Sequence, residues 1–262
     1  MRHSDDISRI LSAWPYDPEH DARIITTEDG RSMLQVRTTL GLEQIELDGR
    51  PDGQRPYGEE TAFEYYQKKL EVAKLEGNAA DFELSAKECG ELFNEGTLFY
   101  FRYLRMFQLQ DWTRTARDTA RNLRVFDFIR RYAKDEEDQL FLEKWRPYVL
   151  RVNATAETMM AMDQNAFDKA LRITSAAMDK IRSLEDLPDE TFTFEKERAL
   201  SVLEELSENI RQAKPVSTLE RLERELKEAI ELQDFERAAV LRDRIRDTRR
   251  QSSTCEEGST AG

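Results

Sequence analysis

From Glu60 onward, the apolar residues of this 262-residue chain recur at helical spacing. Phe63, Tyr66, Leu70 and Ala73 step by three and four. Glycine and proline number only 10 and 7, so long helices meet few breakers. The pattern restricts the chain to a mainly α architecture, in one large or two modest domains. Hydrophobic residues make up 39% and charged residues 35%, a balance that suits amphipathic helices.

Ser85 with Glu88 forms a capping box that opens a helix expected to reach about 109. Phe99, Tyr100, Phe101, Tyr103, Leu104, Met106 and Phe107 make its end apolar nearly all round, which predicts a central core position. A second helix is expected over 112–133, with Trp112, Ala116, Leu123 and Phe126 on its apolar side. A third is expected over 138–162, bent at Pro147, and a fourth over 166–184. QDWTRTAR (110–117) is weakly similar to NAFDKALR (165–172). Such helix pairs resemble tetratricopeptide-type units, with Ala170 as the small packing residue. Residues 59–184 therefore read as a helical-hairpin, tetratricopeptide-like body.

The flanks read differently. Residues 1–21, with Pro15 and Pro18, look irregular. Ile24, Ile25, Leu34, Val36, Ile45 and Leu47 mark a three-stranded antiparallel β-meander over about 22–48. Asp29-Gly30 is a two-residue hairpin signal and Leu40-Gly41 a second turn. Three strands are marginal alone, so one face should pack on helices. DGRPDGQRPYG (48–58) reads as plain turns; its spacing fits neither a calcium loop nor a P-loop. An N-terminal meander and loop thus spans 1–58. After the body, EDLPDETF (185–192) breaks the helix. Ala199, Leu203, Leu206, Ile210 and Ala213 then form a narrow stripe of coiled-coil type on a connector helix within 185–214. Residues 251–262, small and polar, read as a disordered tail.

Net charge is -13, so nonspecific binding of the whole chain to nucleic acid is not favoured. One segment runs against this. Between 102 and 134, nine basic residues face three acidic ones. Arg114, Arg117, Arg121 and Arg124 line one face of the second helix. The face either receives an acidic ligand or pairs internally with acidic segments such as 135–138 and 88–95; internal pairing is the preferred reading. Cys89 and Cys255 stand far apart with no C-x-x-C, so neither a zinc site nor a disulfide framework is expected. The only histidines are His3 and His20, in the irregular N-terminus. A catalytic site, a metal or a cofactor is therefore not expected. No signal peptide or membrane span is read, and the expected location is the cytoplasm.

The last helical stretch is the most specific. Ser217 can cap a helix with Glu220 as its capping-box partner, and Leu219, Leu222, Leu226, Ala229 and Ile230 form one face. Leu232-Gln233-Asp234 is a short turn with Asp234 as the next N-cap. Phe235, Ala238, Ala239, Leu241 and Ile245 follow on a second helix. Two helices joined so tightly lie antiparallel, with Ala238 and Ala239 allowing close approach and Phe235 closing the turn end. Nine basic and nine acidic residues balance over 215–250, which suits protein recognition better than a phosphate backbone.

These residues resemble the UVR motif, first known from the UvrB and UvrC proteins of bacterial nucleotide excision repair. The family pattern is met by Leu222, Leu226, Ala229, Ile230, Asp234, Phe235, Glu236, Ala238, Ala239, Leu241, Arg242, Asp243 and Ile245. The resemblance implies an antiparallel hairpin that binds another such hairpin, on a partner or on a second copy. The chain has no Walker A lysine loop, no GIY-YIG signature and no clustered C-x-x-C pairs, so it departs from UvrB, from UvrC and from the zinc-bearing kinase activators that share the motif. LGLEQIELDGRPDG (40–53) and RDTARNLRVFDFIRRY (117–132) look like a group of stand-alone bacterial UVR-motif proteins. That likeness implies an architecture. The expectation is a non-enzymatic adaptor; the alternative is a repair accessory that contacts DNA through helix 112–133.

Overall fold

The computed structural model describes residues 6–215 and 218–257, and their side chains except at 218–220 and 248–257. The chain divides into two compact units, one up to Arg211 and one from Gln212. Among the described residues no helix is long and apolar enough to cross a membrane.

A short helix, α1 (Ser8–Ala13), stands where the sequence suggests irregular chain. Strands β1 (Ala22–Thr26), β2 (Ser32–Arg37) and β3 (Leu42–Glu46) then form the antiparallel meander, in the order β1-β2-β3. Leu34 faces Ile24 on one side and Ile45 on the other. The first turn is wider than the Asp29-Gly30 pair. Thr27 N–H donates to the Arg31 carbonyl at 2.8 Å, and Gly30 takes φ 84°.

The central strand is covered on both faces. Leu34 and Val36 pack with Leu47 against Met106. Gln35 and Arg37 are also buried. Arg37 donates to the carbonyls of Trp14 (2.9 Å), Gly41 (2.8 Å) and Thr38. Arg23 lies 4.0 Å over the Trp14 ring and donates to Gln35 Oε1 at 2.8 Å. A buried polar group is tolerated when its hydrogen bonds are made, and here the Trp14 segment helps to make them.

The helices of the first unit are α2 (Ala62–Leu75), α3 (Ala86–Gln108), α4 (Trp112–Tyr132), α5 (Glu136–Phe141), α6 (Arg146–Asp163), α7 (Phe167–Arg182) and α8 (Glu190–Ala213). Ser85 and Glu88 form the expected capping box on α3. Helix α4 packs against α3 and α6, and α7 packs against α6. One core cluster joins α2, α3 and α4 around Phe63, Leu92 and Ile129. A second joins α4, α6, α7 and α8 around Phe126, Leu150, Ile181 and Leu203.

Three expectations need correction here. Pro147 does not bend a helix; it sits in the first turn of α6, where its missing N–H is not needed. Phe101 and Leu104 are exposed, so the end of α3 is not sealed on all sides. Phe192, inside the supposed helix break, is helical and buried; the break covers 183–189. The stripe on α8 closes the body. Ala199 and Leu203 join Met178 and Ile181 of α7, and Ile210 joins Ala161 and Ala170.

The second unit holds α9 (Thr218–Glu231) and α10 (Phe235–Glu257). Helix α10 extends into the segment read as a disordered tail; residues 258–262 lie outside the described residues.

Three helix–helix turns share one geometry. Gln110, Asn165 and Gln233 take φ of 59°, 55° and 59°. The N–H groups of Asp111, Ala166 and Asp234 reach back to the carbonyls of Met106 (2.8 Å), Ala161 (2.9 Å) and Ala229 (2.9 Å). These are Schellman-type ends, in which a left-handed residue satisfies the last carbonyls of a helix. The similar segments at 110 and 165 each start on that residue, and an aromatic, Trp112 or Phe167, opens the next helix. Phe235 repeats the arrangement in the second unit.

Candidate pairing site

Helices α9 and α10 pack antiparallel along a seam of Leu222, Ala229, Ala238, Leu241 and Ile245, all buried, with Leu226 half-buried beside them. Ala229 and Ala238 allow close approach beside the turn, and Leu222, Leu241 and Ile245 fill the seam farther from it. Asp234 Oδ1 accepts from Arg237 N at 3.0 Å, which caps α10 as expected. The capping box read at Ser217 and Glu220 rests on Ser217, which lies outside the described residues.

Other motif residues are not in the seam. Phe235 is 70% exposed and does not close the turn end. Ala239 is exposed, so Ala238 alone provides the close approach on α10. Ile230 is 48% exposed, and Leu232 and Val240 are 75% and 60% exposed. Arg242 and Asp243 both face solvent. The physical reason is geometric. A hairpin of two helices can bury only one stripe on each, and Ile230, Phe235 and Ala239 lie beyond its edge. Sequence reasoning passed over Leu232 and Val240; their signal is a large apolar residue off the seam spacing.

The arginine face of α4 is mostly engaged within the chain. Arg114 Nη1 reaches Asp111 Oδ2 at 2.6 Å. Arg117 donates to Asp48 (2.6 Å), Asp118 (2.9 Å) and the Leu47 carbonyl (2.6 Å). Burial works to lower its guanidinium, but Asp118 and Asp48 together hold it above the ordinary arginine value. Arg121 is buried and donates to Glu95. Burial pushes it down to about 10, with Glu95 opposing. Only Arg124 is exposed with no carboxylate partner among the described residues. The partner segment 88–95 is used through Glu95, whereas 135–138 takes no part in these pairs.

Glu95 organises this region; the sequence reading named its segment, 88–95, as a partner of the arginine face but did not single out the residue. Its carboxylate is fully buried and accepts from Ala62 N (2.7 Å) and Phe63 N (3.1 Å) at the start of α2, besides Arg121 and Arg50 (3.3 Å). A carboxylate at a helix N-terminus meets unpaired N–H groups and the positive end of the dipole. The signal was an acid four residues before Phe99, just ahead of the apolar stretch LFYF (98–101). The 48–58 loop is thereby a docked turn. Gly49, at φ 63°, holds left-handed backbone that a side chain would strain, and an added Cβ would also have to displace the Glu60 carboxylate.

The second unit is thus an αα-hairpin whose seam, among the described residues, is buried between its own two helices and whose flank carries exposed apolar side chains. Residues 217–251 match the family model described as the UvrB/uvrC motif, so this hairpin is a UVR motif. No curated protein and no solved structure matches the chain.

Proposed function

We propose that the protein is a non-enzymatic, cytoplasmic adaptor whose α9–α10 hairpin pairs with a second UVR-type hairpin, on a partner or on another copy of the chain. The observation that carries this reading is the exposure of Ile230 and Phe235 on either side of the turn, while the seam closes without them. Exposed large apolar groups gathered at one end of a small hairpin gain by covering each other. The interspersed charges around them set register and partner choice.

DNA contact through α4 is the weaker alternative. Arg114, Arg117, Arg121 and Arg130 of α4 already meet carboxylates of the chain, which leaves fewer of its cations for phosphates.

The test is sedimentation of the full-length chain, alone and mixed with a protein bearing a UVR hairpin. Pairing in at least one arm is expected, lost in Ile230→Ser with Phe235→Ser at unchanged helicity. No pairing in either arm, or pairing that survives the double substitution, overturns the reading.

A further inference from the structure

An open groove of about 370 Å³ lies where α4, α6 and α7 meet in the first unit. Leu123 of α4, Leu150 and Ala154 of α6, and Ile173 and Ala177 of α7 form its floor. All five are buried or half-buried, and they continue the core cluster that joins these helices. The edge of the groove is charged. Lys169, Arg172 and Lys180 stand along α7, against one acid, Glu157 of α6, and all four are exposed.

That edge runs against the balance of the whole chain, in which 53 acidic residues outnumber 40 basic ones. Neighbouring cations close on carboxylates. Arg182, also on α7, reaches Glu204 at 3.0 Å and Asp179 at 3.3 Å, and Arg211 on α8 reaches Glu208 at 3.5 Å. The side chains of Lys169, Arg172 and Lys180 meet no carboxylate among the described residues. Lys169 and Arg172 also stand three apart on one helix, where like charges repel. A row of unmatched cations beside an apolar floor is complementary to a guest that carries acids along an apolar face.

We propose that this groove receives an acidic amphipathic helix of a protein partner, its apolar face on the floor and its carboxylates against Lys169, Arg172 and Lys180. Helix-in-groove docking of this kind takes its affinity from the apolar face and its choice of partner from the flanking charges. Lys169 to Lys180 covers three turns of α7, about 16 Å, which matches a guest of similar length. Ala154, Ala176 and Ala177 carry only a methyl group each and let a second helix approach. An extended peptide would bring unpaired N–H and C=O groups onto a floor built from helices, which offer no free strand edge; a helix arrives with its own already bonded. The groove lies wholly in the first unit, so it stands whether or not hairpins pair.

The experiment is fluorescence anisotropy on the full chain with a labelled helical peptide of about 18 residues, leucines on one face and glutamates on both flanks. Its counterpart carries glutamine for every glutamate. The glutamate peptide is expected to bind about tenfold tighter or more. Lys169→Glu with Lys180→Glu should abolish that preference, whereas Lys87→Glu, an exposed charge reversal on α3, should leave it. Ala176→Trp, exposed at the groove, should block both peptides at unchanged helicity. No binding, equal binding of the two peptides, a preference that survives the double reversal, or one that Lys87→Glu removes equally overturns the proposal. Tighter binding of a single-stranded oligonucleotide than of the glutamate peptide would make the guest a nucleic acid. Self-association lost in the double reversal would make it a second copy. Either result also overturns it.

Discussion

Arg102 Nε donates to Asp118 Oδ2 at 2.6 Å, and both side chains are 1% exposed. The same guanidinium holds the carbonyls of Glu46 and Gly49, each at 2.9 Å. One side chain of α3 thereby ties α4 to the turn that follows the sheet. Removing one partner of such a pair leaves the other charge buried. Arg102→Met is expected to cost about 3–5 kcal/mol. Urea unfolding measures it, and a loss below 1 kcal/mol contradicts the assigned role.

The arginine face of α4 separates into structural and free positions. Arg121→Glu places a second carboxylate against buried Glu95, so a loss of at least about 3 kcal/mol is expected. Arg124→Glu, on the exposed side, should change stability by no more than about 0.5 kcal/mol. A binding defect in Arg121 variants would therefore report unfolding, and Arg124 is the position at which charge alone is tested. Circular dichroism melts of both variants check the contrast.

Gln110 and Gln233 hold left-handed backbone that glycine adopts without a Cβ clash. That strain is about 1–2 kcal/mol per residue, partly offset by the greater freedom of glycine in the unfolded chain. Gln110→Gly and Gln233→Gly are each expected to stabilise by about 0.5–1 kcal/mol. Chemical denaturation of the full chain reads the first. Hydrogen exchange within α9 and α10 reads the second, and faster exchange there would contradict it.

Asp29 is held down to about 2, chiefly by the Thr27 hydroxyl and then by Arg31. Its folded value lies below its unfolded one, so the contribution of this turn is full above about pH 4 and is lost as pH falls towards 2. Thr27→Ala should move the Asp29 midpoint upward in a carboxyl NMR titration. An unshifted midpoint removes the hydroxyl as the cause. Because the group is fully exposed, the effect belongs to the turn and not to global stability.

Periodicity made much of the fold legible. The meander, the capping box at Ser85, the helix at 112 and the terminal hairpin all follow from residues close in sequence, where spacing alone sets which side chains share a face. The failures also have a pattern. Pro147 reads equally as a bend or a helix start, because only the preceding chain path distinguishes them. Phe235 reads as seam because it fits the motif, but exposure depends on the width of the facing helix.

The sequence by itself determined the helices, the strands and the motif identity of 217–251, since each depends on local spacing and residue type. Only the tertiary structure decided the fate of the charges. Arg121 and Arg124 lie on one helix face by spacing, yet Arg121 is buried on Glu95 and Arg124 meets water. Arg146 and Arg151 are both drawn inside, yet Arg146 closes on Glu143 at 2.6 Å while Arg151 feels Glu195 only through space. Coulomb and desolvation energies depend on distance and burial, and neither is written in the order of residues along a chain.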